Sequence, residues 1–265
     1  MAAPAAPRAV LLFDIDGVIR DVGGSYRRAI VETVQHFSGW APEPAAIDAL
    51  KGEGRWNNDW QASMELLRRR GVAPLPAWAE LVAVFSGYYF GGDPEGDTGL
   101  WRGFIGSEPL LVDGPFFAAL GDLGIAWGFV SGAEPPSARF VLEQRLGLVA
   151  PPLIAMGQAP DKPEPTGLLA LAARLAGVPL GAGAPPVAYL GDTVADVETV
   201  RRARARVPGQ RFEALAVAPP HLHGPGREAE RQRYEAQLRQ AGADHLLGST
   251  RQVLELFSAP SPPAP

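Results

Sequence analysis

The chain has 265 residues, 46% of them hydrophobic, with a formal charge of −5 and no cysteine. This length and composition suit a globular protein of one large or two small domains. The acidic balance argues against nucleic acid as the main partner, the lack of cysteine excludes disulfides and thiol chemistry, and no apolar run approaches the ~20 residues of a membrane helix.

The Ala/Pro-rich residues 1–8 predict a frayed end, and Asp14 and Asp16 interrupt any signal-peptide core. Residues 8–19 predict a first strand and its loop. Val10-Leu11-Leu12-Phe13 leads into Asp14-Ile15-Asp16-Gly17, so two carboxylates sit two residues apart where the strand ends. In extended chain that spacing directs both to one side of a sheet. Paired acids repel unless a cation lies between them or one keeps its proton. A divalent metal site, an acid–base pair and two solvated aspartates all fit the pattern.

From about 20 to 105 helical signals dominate. Ser25 predicts the cap of a helix through Phe37 that buries Ile30, Val34 and Phe37, with Gly39 beyond its end. Further helices are predicted near 44–51, 60–70 and 77–90, and 91–97 reads as a loop. From about 107 onward helices alternate with short apolar strands, the pattern of a parallel sheet. Ile125–Val130 ends in Ser131-Gly132. Asp161-Lys162-Pro163-Glu164-Pro165 sets one lysine before an apolar helical stretch. Pro186–Leu190 ends in Gly191-Asp192-Thr193-Val194-Ala195-Asp196. In an open parallel sheet the strand C-termini face one crevice. Taken singly, Ser131-Gly132 reads as a turn, Lys162 as a surface cation and Asp192 as a helix cap.

The bases are unevenly divided: of 24 Lys and Arg, only Lys51 and Lys162 are lysine, and the asparagines are Asn57 and Asn58. Where arginine serves as the generic cation, a retained lysine is a functional candidate. The stretch from Lys51 to Trp60 combines Lys51, Arg55, Asn57 and Asn58 with two tryptophans, and it suits a polar ligand. The competing reading is a helix start, with Asn58 capping and Trp56 and Trp60 as core anchors. Arg201, Arg202, Arg204 and Arg206 recur on a helix as a solvated face, and His221 and His223 lack a third ligand. His36 and His245 read as structural. Residues 258–265 predict a second frayed end.

In order and strand context, DxDGV at Asp14, SG at Ser131, KP at Lys162 and GDxxxD at Asp192 resemble the haloacid dehalogenase (HAD) superfamily. The likeness covers about two thirds of the chain. It implies a Rossmann-like three-layer α/β/α core with a parallel sheet, residues 1–19 and 106–265. A helical cap, residues 20–105, would be inserted into it, as in subfamily IA and its phosphoglycolate phosphatase-like members. The resemblance also implies site roles. Asp14 would be the nucleophile, and Asp16 the general acid and then base. Ser131 and the Gly132 amide would hold phosphoryl oxygens, with Lys162 neutralising charge. Mg²⁺ would bind Asp14, the backbone carbonyl of Asp16, and Asp192, with Asp196 supporting the metal site through water or Lys162. Lys51, Arg55, Asn57 and Asn58 would contact substrate from the cap. Asp16 sets the chain apart from 2-haloacid dehalogenases and phosphonoacetaldehyde hydrolases, which lack an aspartate there. The expected function is hydrolysis of a small phosphorylated metabolite by a cytoplasmic monomer or homodimer, with no nucleic-acid or membrane partner. A phosphomutase of the β-phosphoglucomutase kind, or a catalytically idle metabolite-binding protein, is the alternative.

Overall fold

A computed structural model of the protein describes residues 6–258 apart from 52, 54, 55 and 57. The two ends expected to fray fall largely outside that range. The chain opens with β1 (Ala9–Phe13), followed by helices α1 (Tyr26–Ser38), α2 (Pro44–Lys51), α3 (Asp59–Arg69) and α4 (Trp78–Phe90). Next come α5 (Gly114–Asp122), β2 (Ile125–Val130), α6 (Pro135–Arg139), a π-helical turn Phe140–Arg145 and β3 (Leu153–Ile154). The remainder runs α7 (Thr166–Ala176), β4 (Val187–Gly191), α8 (Val194–Arg206), β5 (Phe212–Val217), α9 (Glu228–Ala241), β6 (His245–Leu247) and α10 (Val253–Ser258). The basic segment 201–241 therefore contains a strand, β5, as well as helix.

Two units divide the chain, one formed by Met1–Asp21 with Leu110–Pro265, the other by Val22–Pro109. The first contains, among the described residues, one parallel sheet of six strands in the order β3-β2-β1-β4-β5-β6. A parallel strand covered on both faces must be apolar throughout, and every residue of β1 is buried. Its two faces serve two cores. Leu11 and Phe13 pack with Phe116, Phe117 and Phe129 on one side. Val10 and Leu12 pack with Leu168, Leu171, Val197 and Val200 on the other. The ring of Phe13 meets Phe116 and Phe117 edge-on at 5.9 and 6.0 Å, so the strand end that carries Asp14 is anchored in aromatic packing.

In the second unit α1 packs on α3 and α4. Tyr26 stacks on Tyr89 at 4.3 Å. Helix α1 begins one residue after Ser25, but the Ser25 side chain does not cap it. That hydroxyl instead donates to Glu108, whose buried carboxylate also accepts from Tyr89 at 3.2 Å. The charged hydrogen bond to Glu108 fixes the Ser25 side chain, and its oxygen accepts from no amide of the first turn of α1. Phe37 is only partly buried, and His36 and His245 are exposed rather than packed. Trp56 and Trp60 are half-buried, Trp60 lying edge-on to the exposed Trp78.

The helical unit runs from Val22 to Pro109, and Arg20, just before it, is wholly buried. Phe13→Ala should destabilise the protein by about 3–5 kcal/mol in urea denaturation. A loss under about 1 kcal/mol would mean that the aromatic cluster does not anchor β1.

Candidate active site

The strand order locates the site before any side chain is considered. From β1 the chain progresses outward through β2 and β3, then returns to β4 on the other side of β1 and continues to β5 and β6. The switch therefore falls between β1 and β4, where a parallel sheet opens a crevice at its strand C-termini. Asp14 follows β1 and its amide donates to the Leu190 carbonyl of β4 at 2.8 Å. Asp192 follows β4 directly, and Ser131 follows β2.

Lys162, on the loop between β3 and α7, reaches into this edge. Its ammonium donates to Asp14 Oδ2 at 2.7 Å and to Asp196 Oδ1 at 2.6 Å. The other oxygen of Asp14 accepts from the Ile15 amide at 2.8 Å. Carboxylate oxygens of Asp14, Asp192 and Asp196 lie within 4.8 Å of one another.

Asp196 is held on every side. Its Oδ2 accepts from the Thr193 amide and hydroxyl at 3.0 and 2.6 Å, completing a capping box at the start of α8. Its Oδ1 also faces the Tyr189 hydroxyl at 3.0 Å, which lies 2.8 Å from the Val130 carbonyl. Thr193, not Asp192, is thus the cap of α8, and the Asp192 carboxylate meets no hydrogen-bond donor among the described residues. Tyr234 of α9 donates to the Asp192 backbone carbonyl at 3.0 Å.

Two glycines are required by these carboxylates. Gly17 has φ +74°, and a Cβ there would lie 2.0 Å from Asp192 Oδ2. A Cβ on Gly191 would lie 2.2 Å from the Cβ of Asp196. Any larger residue at either place would displace an acid from the cluster.

The electrostatics follow from burial. Burial raises the Asp14 carboxyl to about 6, with Asp196 and Asp16 adding to the rise and Lys162 opposing it. Burial also lifts Asp192 well above the carboxylate range, reinforced by Asp196 and Asp14. Asp196 moves the other way, because Lys162 and Thr193 outweigh the burial that would raise it. Burial works against the Lys162 charge too, but Asp14 and Asp196 overcome it and hold the ammonium well above its usual range.

Were all three acids ionised at once, one ammonium would leave two negative charges uncompensated in a small space. At about 4 Å, with an effective dielectric near 20, each unit pair interacts by ~4 kcal/mol. A divalent cation would cancel that excess. The donors are hard oxygens of the kind Mg²⁺ prefers, and the unpartnered Asp192 carboxylate is the group such an ion would satisfy. Asp196, with both oxygens already engaged, suits a supporting role around Lys162.

The remaining sequence candidates make other contacts, although Asp16 is near enough to add to the rise of Asp14. Asp16 Oδ1 accepts from Arg20 Nε at 2.7 Å. The Ser131 hydroxyl is buried and accepts from the Ala133 amide at 3.2 Å, and Gly132 between them is exposed. In the helical unit Lys51 pairs with Asp59. The Asn58 side chain caps α3 by accepting from the Gln61 amide at 3.0 Å. Arg55 and Asn57 lie outside the described residues. Arg201, Arg202, Arg204 and Arg206 pair with Glu198, Asp244 and Glu164. The ring of His223 meets the Ala218 carbonyl at 2.9 Å. Sequence reasoning passed over Tyr189 and Arg20. A tyrosine inside a buried parallel strand needs a partner for its hydroxyl, and that was the available signal for Tyr189.

The fold and site together define an α/β protein whose parallel sheet gathers acids and a lysine at its topological switch, with a helical unit inserted after β1. The family model for haloacid dehalogenase-like hydrolases matches residues 9–204, and the chain belongs to that family. A protein of Phytophthora nicotianae named imidazoleglycerol-phosphate dehydratase is 32% identical over 205 residues, or 76% of this chain. The match spans only 43% of that relative's length. A hydrolase from Pseudomonas syringae superposes with a TM-score of 0.63 at 17% identity, covering 96% of this chain and all of its own. A HAD family hydrolase from Deinococcus radiodurans R1, with bound phosphate and sodium, gives the same TM-score and identity over 97% of this chain and 100% of its own. At these identities the structural likeness is one of fold.

The pH dependence of stability follows from these shifts. In metal-free protein, the folded state keeps a proton on Asp14 between the ordinary 3.8 and about 6. Its contribution is therefore complete below about 4 and lost as pH rises through about 6, with Asp192 acting in the same direction. Asp196, being lowered, acts only below the ordinary carboxylate range. Asp14→Asn should flatten the fall in Tm between pH ~4 and ~7, and Mg²⁺ should raise wild-type Tm more at pH ~7 than at pH ~5. Equal slopes in the two proteins, or a pH-independent Mg²⁺ effect, would contradict this account.

Proposed function

We propose that the chain is a Mg²⁺-dependent phosphatase that hydrolyses a small phosphomonoester through a phosphorylated Asp14. The observation that carries this reading is the Lys162 ammonium bonded at once to Asp14 and Asp196, beside the unpartnered Asp192. An ammonium at 2.7 Å favours the ionised Asp14 carboxylate and offsets its repulsion toward an incoming phosphate dianion.

An Asp14 oxygen bonds to phosphorus as the bond to the ester oxygen breaks, and the departing alcohol takes the proton carried by Asp16. Water then attacks phosphorus, gives a proton to Asp16, and the Asp14–phosphorus bond breaks to release inorganic phosphate. Ser131 and the Gly132 amide, which follow β2, would hold phosphoryl oxygens, and Asp196 with Tyr189 would fix Lys162. Mg²⁺, held by Asp14, Asp192 and the Asp16 carbonyl, would neutralise charge on the phosphoryl group.

Substrate choice is assigned to the helical unit, with Lys51 and Asn58 as contact residues alongside Arg55 and Asn57. The name of the Phytophthora relative makes imidazole-bearing phosphomonoesters a sensible part of any substrate panel.

Purified protein should release inorganic phosphate from at least one member of a phosphomonoester library when Mg²⁺ is added, and lose that release on chelation. Asp14→Asn should reduce it to background. Release that survives in Asp14→Asn, or an isomerised sugar phosphate in place of free phosphate, would overturn the phosphatase reading. On the best substrate, Lys51→Ala should raise KM at least about fivefold with kcat little changed, as expected for lost uniform binding. An unaltered KM would remove Lys51 from the substrate site.

A further inference from the structure

Among the described residues Arg20 is the largest fully buried side chain, and nothing in its local sequence calls for a charge. It ends the tight loop that begins at Asp14. The Gly17 amide donates to the Arg20 carbonyl at 2.9 Å, and Arg20 forms bridges with Asp16 on one side and Leu110 on the other. The backbone is thus fixed without help from the side chain. The guanidinium nevertheless joins its own loop to a helix. Nε donates to Asp16 Oδ1 at 2.7 Å, and a terminal nitrogen donates to the buried Ser137 hydroxyl at 2.9 Å. Ser137 lies in α6, just after the Ser131-Gly132 turn.

Burying a guanidinium carries a large desolvation cost, which an aliphatic residue of similar volume would avoid. The planar donor fork of arginine can fix the direction of a carboxylate, which a lysine cannot do equally well. Asp16 Oδ1 is engaged in this way, while Oδ2 has no partner among the described residues.

We propose that Arg20 is a positioning residue that pins Oδ1 of Asp16 and leaves Oδ2 to exchange the proton with alcohol and water. The proposal rests on the phosphatase reading. It adds that the loop after β1 and the helix after β2 are tied together to aim the acid. A side chain free to rotate would lose much of the rate that depends on alignment.

The test separates proton delivery from general damage. A p-nitrophenyl leaving group departs without much help from an acid, whereas phenoxide benefits from one. Arg20→Met should therefore lose at least about tenfold more kcat/KM, which excludes the hydrolysis step common to both esters, on phenyl phosphate than on p-nitrophenyl phosphate, within the reach of general acid catalysis. Asp16→Asn should show the same selectivity, and the double variant should lose little beyond Asp16→Asn alone. Because breaking a buried charge pair can unfold a chain, Arg20→Lys and Ser137→Ala, checked by Tm, supply the same comparison with milder changes. Both should shift the ratio in the same direction by smaller amounts. Equal losses on the two esters in folded variants, or additive losses in the double variant, would overturn the positioning role while leaving the phosphatase reading intact. Failure of wild-type protein with Mg²⁺ to hydrolyse both esters and every member of the library would instead remove both.

Discussion

One ammonium holds the candidate site together. Lys162 arrives from a loop beyond β3 and bonds to acids that follow β1 and β4. Without it, Asp14, Asp192 and Asp196 would form a buried cluster of like charge whose repulsion burial makes worse. With it, Asp196 is stabilised as a carboxylate, and Asp14 is pushed up only to about 6, within reach of ionisation near neutral pH. The same bond explains the surrounding polar groups. Tyr189 and Thr193 hold Asp196, Asp196 holds Lys162, and Lys162 lies against Asp14.

The fold makes this convergence possible with little freedom left over. A strand order with its switch between β1 and β4 brings Asp14 and Asp192 to one edge. The Phe13 ring, set among Phe116, Phe117 and Phe129, fixes the height of Asp14 above the sheet. Gly17 and Gly191 give up side chains so that Asp192 and Asp196 can come close. Arg20 and Ser137 join the loop after β1 to helix α6. Packing, backbone geometry and charge therefore act on the same few atoms, as expected where a fold supports a reactive centre.

Much of this was legible in the sequence, for physical reasons. Apolar runs ending in Asp, Ser or Gly-Asp mark strands of a parallel sheet, and their chain order suffices to bring Asp14, Ser131 and Asp192 to one edge. The four helices between 26 and 90 announce themselves by periodicity and by turn residues. Other features left a weaker trace. β3 is two residues long, too short for any pattern, and β5 is hidden behind an arginine-rich helix. The Ser25 hydroxyl fits a helix cap locally, but a buried glutamate 83 positions away claims it. Arg20 sits between Ile19 and Asp21, and a cation there gives no hint of being buried. Its role depends on Ser137, 117 residues along the chain. Pairings of this kind are set by tertiary structure, which local pattern does not carry.

The central claim is that Asp14, paired with Lys162, is the group that accepts the phosphoryl moiety. The most direct measurement is peptide mass spectrometry of enzyme quenched in acid during turnover with Mg²⁺ and a hydrolysed ester. The account predicts a phosphoryl adduct on Asp14 that builds up within a single turnover and then decays. Turnover with no adduct at any stage, or an adduct carried by another residue, would contradict it.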